Sequence, residues 1–343
     1  MLETIWFALW GVLWTVYFVL DGFDLGLGST FLFLAKSEDE RRVAVNAMGP
    51  FWDGNEVWLV TAGGVTFAAF PAAYATMFSV LYVPLMLLLF ALIIRGVSFE
   101  FRNKVDDSGW RDLWDRCLAV GSFLPALLFG VAFANIFRGL TFTVNPPQND
   151  TLLDLLNPYG LLGGLLFVAF FVVHGALWLA AKSEGYLRRR AETTVKWAWP
   201  VEVVLAVAFL VASAFATPLW ENYGKWPLLL VLPLLAVAGL VMLRVALARG
   251  RRWAAWGWSA AAIAGAVLWG VGGLYPRLFW SRRDIDPGAT LTAHNAASSP
   301  LTLKIMLGVA LVMVPIVIAY QTWVYLKFRD VVRPEDFREH DAY

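Results

Sequence analysis

The chain is 343 residues long, carries a net charge of +1, and is 59% apolar with only 15% charged residues. Its mean hydropathy of +0.64 is not that of a soluble domain of this length. The near-neutral balance gives no basic footprint for nucleic acid, and a single cysteine, Cys117, excludes an intrachain disulfide and any Cys-rich metal or cluster site.

Apolar runs of about 20 residues, each enough to cross a hydrocarbon core of about 30 Å, recur between short charged segments. They fall near 4–33, 51–70, 76–98, 115–137, 159–181, 197–217, 227–248, 254–276 and 301–326. The expected fold is therefore an all-α integral membrane protein of about nine transmembrane helices, a single membrane domain over 1–343. Many of the 18 tryptophans, among them Trp6, Trp220, Trp226, Trp253 and Trp323, sit near segment ends as an interfacial belt would require.

The first run has no basic leader and no small-residue cleavage site, so it reads as a retained helix rather than a signal peptide. Its second half carries Asp21-Gly22-Phe23-Asp24-Leu25-Gly26-Leu27-Gly28. The i, i+3 spacing puts both carboxylates on one helical face, and Gly22 with Gly26 would let a neighbouring helix approach closely. The second run opens with Trp52-Asp53-Gly54-Asn55-Glu56-Val57-Trp58, again with two acids at i, i+3. A helix starting near Thr4 and rising about 1.5 Å per residue brings Asp21 about 25 Å across. Asp53 lies a few residues into the returning helix, so the two clusters are expected at one depth and in contact. Charges in hydrocarbon are usually paired, hydrated or functional. Asp21, Asp24, Asp53 and Glu56 are therefore read as a polar route for protons or ions. The plainer alternative is that Asp53 or Asn55 caps the second helix and the other acids mark interface positions.

Further along, Arg95 and Arg244 lie near the ends of the third and seventh runs and are expected to snorkel to the interface, the alternative being that they pair with the acids. Glu202, in the sixth run, occupies roughly the place of Glu56 in a faint internal repeat. In that repeat Asp21-Gly22 falls on His174-Gly175, Pro50 on Pro200, Pro84 and Arg95 on Pro233 and Arg244, and Arg111 on Arg252. The repeat describes two four-helix bundles, 1–140 and 158–277, with an additional helix at 301–327. Of three histidines, His340 is in the tail and His294 in a loop; only His174 is placed inside the membrane, where it is expected to be packed or hydrogen-bonded. Membrane haems need axial His or Met on helices, so this chain is poorly equipped to hold several haems, and no resident metal or catalytic residue is expected.

Lysines and arginines alternate by loop. Lys36, Arg41 and Arg42, then Arg102, Lys104 and Arg111, then Lys182, Arg188 to Arg190 and Lys196, then Arg249, Arg251 and Arg252, and finally Lys327, Arg329, Arg333 and Arg338 mark one side. The opposite loops are poorer, except 277–303 with Arg277, Arg282 and Arg283. This asymmetry places the N-terminus outside and the tail in the cytoplasm.

At its two acidic clusters the sequence resembles subunit II of cytochrome bd-type quinol oxidases. The strings that carry the likeness are LDGFDLGLG at 20–28, ERRVAVNAMGPFWDGNEVWLVTAGGVTFAAFP at 40–71, WRDLWDRCLAVGSFLPALLFGVAFAN at 110–135 and NPYGLLGG at 157–164. The likeness runs the full length but is concentrated in the first 140 residues; 180–280 is similar only in hydropathy. It implies a subunit of a quinol:oxygen oxidoreductase in the bacterial cytoplasmic membrane that reduces dioxygen to water. In that family a partner, subunit I, holds two b-type haems and one d-type haem and the quinol site. Subunit II supports it and contributes acids to cytoplasmic proton entry, which match Asp21 and Asp53 here. Gly22, Gly26, Trp52, Asn55 and Trp58 are then structural or interface residues. Whether a structural quinone sits in this chain, or a small single-helix third subunit joins the complex, is left open. The competing expectation is a proton- or ion-coupled secondary transporter, against which the acids lie near the boundary instead of the midplane.

Overall fold

A computed structural model of the chain describes residues 1–144, 147–281 and 290–337. Arg282, Arg283, Arg338, His340 and Tyr343, which entered the sequence reading, lie outside the described residues.

The helices run in chain order as α1 (Leu2–Leu34), α2 (Glu38–Met48), α3 (Trp52–Ala69), α4 (Pro71–Val80), α5 (Tyr82–Phe101) and α6 (Ser108–Arg138). A short α7 (Leu152–Leu155) leads to α8 (Pro158–Lys182), α9 (Gly185–Ala216), α10 (Trp220–Lys225), α11 (Val231–Ala248), α12 (Arg252–Leu274) and α13 (Pro300–Lys327). Among the described residues, eight helices are long and apolar enough to cross a membrane: α1, α5, α6, α8, α9, the stretch Pro227–Ala248 that contains α11, α12 and α13. The expected second segment is α3, which packs beside α1. Asp53, Asn55 and Glu56 in its first two turns keep it out of the apolar set.

The boundaries differ from the sequence reading where proline or capping chemistry intervenes. The third run is two helices. Pro71 starts α4 at a position where its missing N–H costs nothing. Pro84 can neither donate to Val80 nor sit comfortably behind its carbonyl, and the chain breaks at Leu81 between α4 and α5. The sixth run begins earlier than its apolar part. α9 starts at Gly185, so Pro200 lies inside the helix and not at its head as the repeat had it. The loop after α1 contains α2, whose Ser37 side chain accepts from Glu40 N–H while the Glu40 carboxylate accepts from the Ser37 N–H.

α1 is the hub and packs against α3, α6, α8 and α12. Its Phe18 sits in a cage of Phe129, Phe133, Phe167 and Phe171 at 5.0–6.1 Å. The closest crossing is with α8: a Cβ on Gly26 would land on the Phe171 carbonyl, and one on Gly175 would strike the backbone of α1 between Phe23 and Leu27. These glycines let the two backbones touch, which in a bilayer substitutes dispersion contact for the absent hydrophobic drive. At one end of the helices two hairpins meet. β1 (Phe142–Val144) pairs with β2 (Pro147–Asn149), β3 (Arg277–Phe279) pairs with β4 (Leu291–Thr292), and Leu140 N–H donates to the Trp280 carbonyl at 3.1 Å between them. The other end holds an ionic belt. Arg102 binds Asp115 at 2.6 Å and Glu38 at 2.9 Å, Arg41 binds Asp112 at 2.6 Å and Asp115 at 2.9 Å, and Arg190 pairs with Glu40. Partial burial pushes the Glu40 carboxyl up, but Arg190 and the backbone N–H groups of Lys36 and Ser37 outweigh it and hold the group below its ordinary range.

Candidate functional site

The site is built where α1, α3 and α5 touch. Asp21 and Asp24 project from one face of α1, Asn55 and Glu56 come from the second turn of α3, and Arg95 reaches in from α5. Asp21, Asp24, Asn55 and Arg95 are all 0% exposed. Arg95 binds Asp21 through both oxygens, Nη2 to Oδ1 at 2.7 Å and Nη1 to Oδ2 at 3.1 Å. Its Nη1 also donates to Glu56 Oε1 at 2.9 Å, and Nη2 lies 3.9 Å from Asp24 Oδ2. The fork geometry of a guanidinium suits this work, since one side chain can hold several carboxylates in fixed positions. Of the two sequence readings of Arg95, snorkelling to the interface and pairing with the acids, the structure shows the second, because Asp21 and Glu56 offer the charge partners that make a buried guanidinium tolerable.

Asn55 is a connector and not a helix cap. Its amide nitrogen donates to Asp24 Oδ2 at 2.7 Å and to the Leu20 carbonyl at 3.1 Å, and its oxygen accepts from the Tyr325 hydroxyl at 2.8 Å. The cap position of α3 is Phe51, with no side-chain cap bond, so neither Asp53 nor Asn55 caps. Gln321 of α13 bonds twice to α3, accepting from Trp58 Nε1 at 2.7 Å and donating to the Gly54 carbonyl at 2.7 Å. Trp52 stacks on Phe99 at 5.2 Å, and Gly22 lies under the Phe171 ring. The last helix thus completes a polar layer that the sequence reading assigned to α1 and α3 alone.

Asp53 does not join the cluster. It is exposed in the first turn of α3, one turn before Glu56 and on the same helical face, and makes no side-chain hydrogen bond among the described residues. Glu56 stands between: its side chain is 23% exposed and lines a groove of about 440 Å³ with Trp52, Leu59, Ile93, Gly96 and Glu100. Asp53, Glu56 and the buried pair Asp21 and Asp24 therefore form a graded series from surface to interior. Asp24 Oδ1 and the Tyr17 hydroxyl have no hydrogen-bond partner within the described residues.

The second half is different. His174 is fully buried, its Nε2 3.0 Å from the Val19 carbonyl and its Nδ1 3.1 Å from Ser259 Oγ, with its ring stacked 5.1 Å from Trp256. A carbonyl can only accept, so Nε2 carries the proton and Nδ1 accepts from the serine. Glu202 is fully buried with both carboxyl oxygens unpartnered among the described residues.

A polytopic helical bundle with ion-paired acids layered beneath one lateral groove is the class that fold and site define. The family description cytochrome bd terminal oxidase subunit II matches residues 2–328. The chain is 36% identical over 373 residues to the cytochrome bd-I ubiquinol oxidase subunit 2 of Escherichia coli (strain K12), covering 99% of this chain and 97% of that protein. It is 37% identical over 328 residues to the cytochrome bd ubiquinol oxidase subunit 2 of Bacillus subtilis (strain 168), with 96% of each covered. Its fold matches the structure of bd oxidase from Geobacillus thermodenitrificans with a TM-score of 0.75 at 15% identity, over 95% of this chain and 98% of that one.

The chain belongs to the cytochrome bd terminal oxidase subunit II family. It is a subunit of a respiratory quinol oxidase, a multi-pass protein of the bacterial inner membrane, and the transporter reading falls away. The family implies haem cofactors and quinol as substrate. Within this chain both nitrogens of His174 are already bonded, and no group of three or more His, Cys, Asp and Glu that could hold a metal ion is found among the described residues.

Proposed function

We propose that this chain is the proton-entry subunit of the oxidase, taking protons from the cytoplasm at Asp53 and passing them through Glu56 to Asp21 and Asp24. The observation that carries this reading is one of charge. Three carboxyl groups surround a single buried guanidinium, two of them fully buried and the third, Glu56, at the edge of a groove. One cation cannot balance three anions there, so the cluster takes up protons to approach neutrality. Such a group of acids, one at the surface, one at the edge and two inside, has the geometry of a relay. Asn55 holds Asp24 in place by its amide and, lacking a titrating proton, does not itself relay.

The partner is a haem-bearing subunit I holding two b-type haems and one d-type haem together with the quinol site; in support, His174, the one histidine on a membrane helix here, already has both ring nitrogens bonded. It docks over α3 and α5. There Glu56 opens into the lateral groove, and Val83, Leu87, Phe90 and Ile94 form an exposed apolar face. A carboxylate left against acyl chains is costly, whereas a partner helix with polar groups covers it. On this reading the N-terminus is outside and the tail cytoplasmic, and the chain comprises two four-helix bundles, 1–140 and 158–277, plus 301–327. A structural quinone and a small third subunit stay outside this proposal.

Asp53→Asn keeps the shape of an exposed side chain that makes no side-chain hydrogen bond or ion pair among the described residues, and removes its titrating group. Quinol oxidase turnover per haem should fall several-fold while haem content stays normal. Unchanged turnover at normal haem content would remove Asp53 from the route.

A further inference from the structure

We infer that the cleft between α12 and α13 binds one anionic phospholipid of the surrounding bilayer. The cleft is a groove of about 910 Å³ with α1 as its floor. Ala260, Ala261 and Ala264 make the α12 wall flat, and Ile318 and Leu326 line the α13 wall. α13 is held by its end and by a few polar bonds to α3; Leu303 is its only fully buried residue. The groove is thus open sideways at the level of hydrocarbon. Water does not fill an apolar slot of this kind, and acyl chains do.

Its head end is basic. Trp253 lines both this groove and an adjoining polar pocket of about 540 Å³ walled by Arg188, Arg251 and Arg252, and Arg329 lines the groove itself. Of the acids near these four cations, Glu192 is bound to Arg252 at 2.6 Å, Glu184 is paired with Arg333 at 3.4 Å, and Asp330 follows Arg329 in the chain. Arg188 donates to the Ser183 carbonyl at 2.6 Å, and Arg251 and Arg329 make no ion pair among the described residues. An apolar slot for chains joins a cationic pocket for a phosphodiester, with a tryptophan at the junction where indole prefers the headgroup boundary. A zwitterionic lipid would fill the slot and leave the arginines uncompensated. The charge therefore selects an anionic headgroup.

The test is native mass spectrometry of the intact oxidase complex released from detergent after exposure to equal amounts of phosphatidylglycerol and phosphatidylcholine. The phosphatidylglycerol adduct should dominate, and the Arg251→Gln, Arg329→Gln variant should retain it roughly tenfold less. Neither residue carries an internal ion pair, so that variant keeps its fold contacts. Ala261→Trp fills the groove, leaves the arginines in place, and should also expel the lipid. Equal retention of the two lipids, or an unchanged adduct in the double variant, overturns the proposal. Displacement of the lipid by millimolar inorganic phosphate would overturn it in favour of a free-anion site, and a quinone held in the groove instead of phospholipid would overturn it as well.

Discussion

The two halves of the chain both bury ionisable residues and treat them in opposite ways. In the first half Asp21, Glu56 and Arg95 form one bonded cluster that opens into a groove at Glu56. In the second half such residues are dispersed. His174 is locked between Ser259 and the Val19 carbonyl, Glu202 has no partner, and Arg244 makes no ion pair among the described residues. Position in a bundle therefore does not make a proton site. On the proposed reading, what does is a cation that gathers several acids, with one of them reaching an opening. On this account the second half is the scaffold and the first half carries the chemistry.

The largest expected effect breaks the gathering cation. Arg95→Gln leaves two buried carboxyl groups and one at the edge without their guanidinium, a loss of about 3–5 kcal/mol for a broken buried network. Assembled, haem-containing oxidase should nearly disappear from membranes. Arg244→Gln, by contrast, should leave the yield near normal. An equal loss from both would mean that the arginines share a general interfacial role.

A smaller effect sharpens the contrast at the helix crossing that supports the cluster. Gly26→Val drives a side chain into the Phe171 backbone and should cost at least the 1–3 kcal/mol typical of overpacking. Gly64→Val meets nothing within 4 Å and should be neutral in this chain. Thermal unfolding of the purified complex reads both. A neutral Gly26→Val would mean that α1 and α8 are not held by this contact.

Much of this site was legible in the sequence. The i, i+3 acid pairs, the Gly22 and Gly26 spacing and the meeting of α1 with α3 follow from helical period and rise, and the structure brings Asp21, Asp24 and Glu56 together. For Arg95 the sequence favoured the interface over pairing with the acids, because a basic residue near a segment end looks the same whether it turns to water or inward; only its neighbours across the bundle decide. The Tyr325 and Gln321 bonds were invisible for a related reason, since they join residues some 270 positions apart in the chain. Asp53 was expected to meet the first cluster near the boundary and is exposed outside it, because the helix starts there and its first turn is still at the surface. The α2 helix was missed although Ser37 and Glu40 spell a capping box. Apolar runs dominate a membrane sequence, and a short polar helix between two of them reads as a loop.

The central claim is that the first-half cluster, and not its second-half counterpart, carries protons to the oxygen-reducing site. The direct measurement compares Glu56→Gln with Glu202→Gln in reconstituted vesicles, recording turnover per haem and proton uptake from the cytoplasmic side. Glu56→Gln keeps a hydrogen-bonding group beside Arg95 and should slow both rates several-fold, whereas Glu202→Gln should match the parent in both. Parental rates in Glu56→Gln, or a loss confined to Glu202→Gln, would contradict the account.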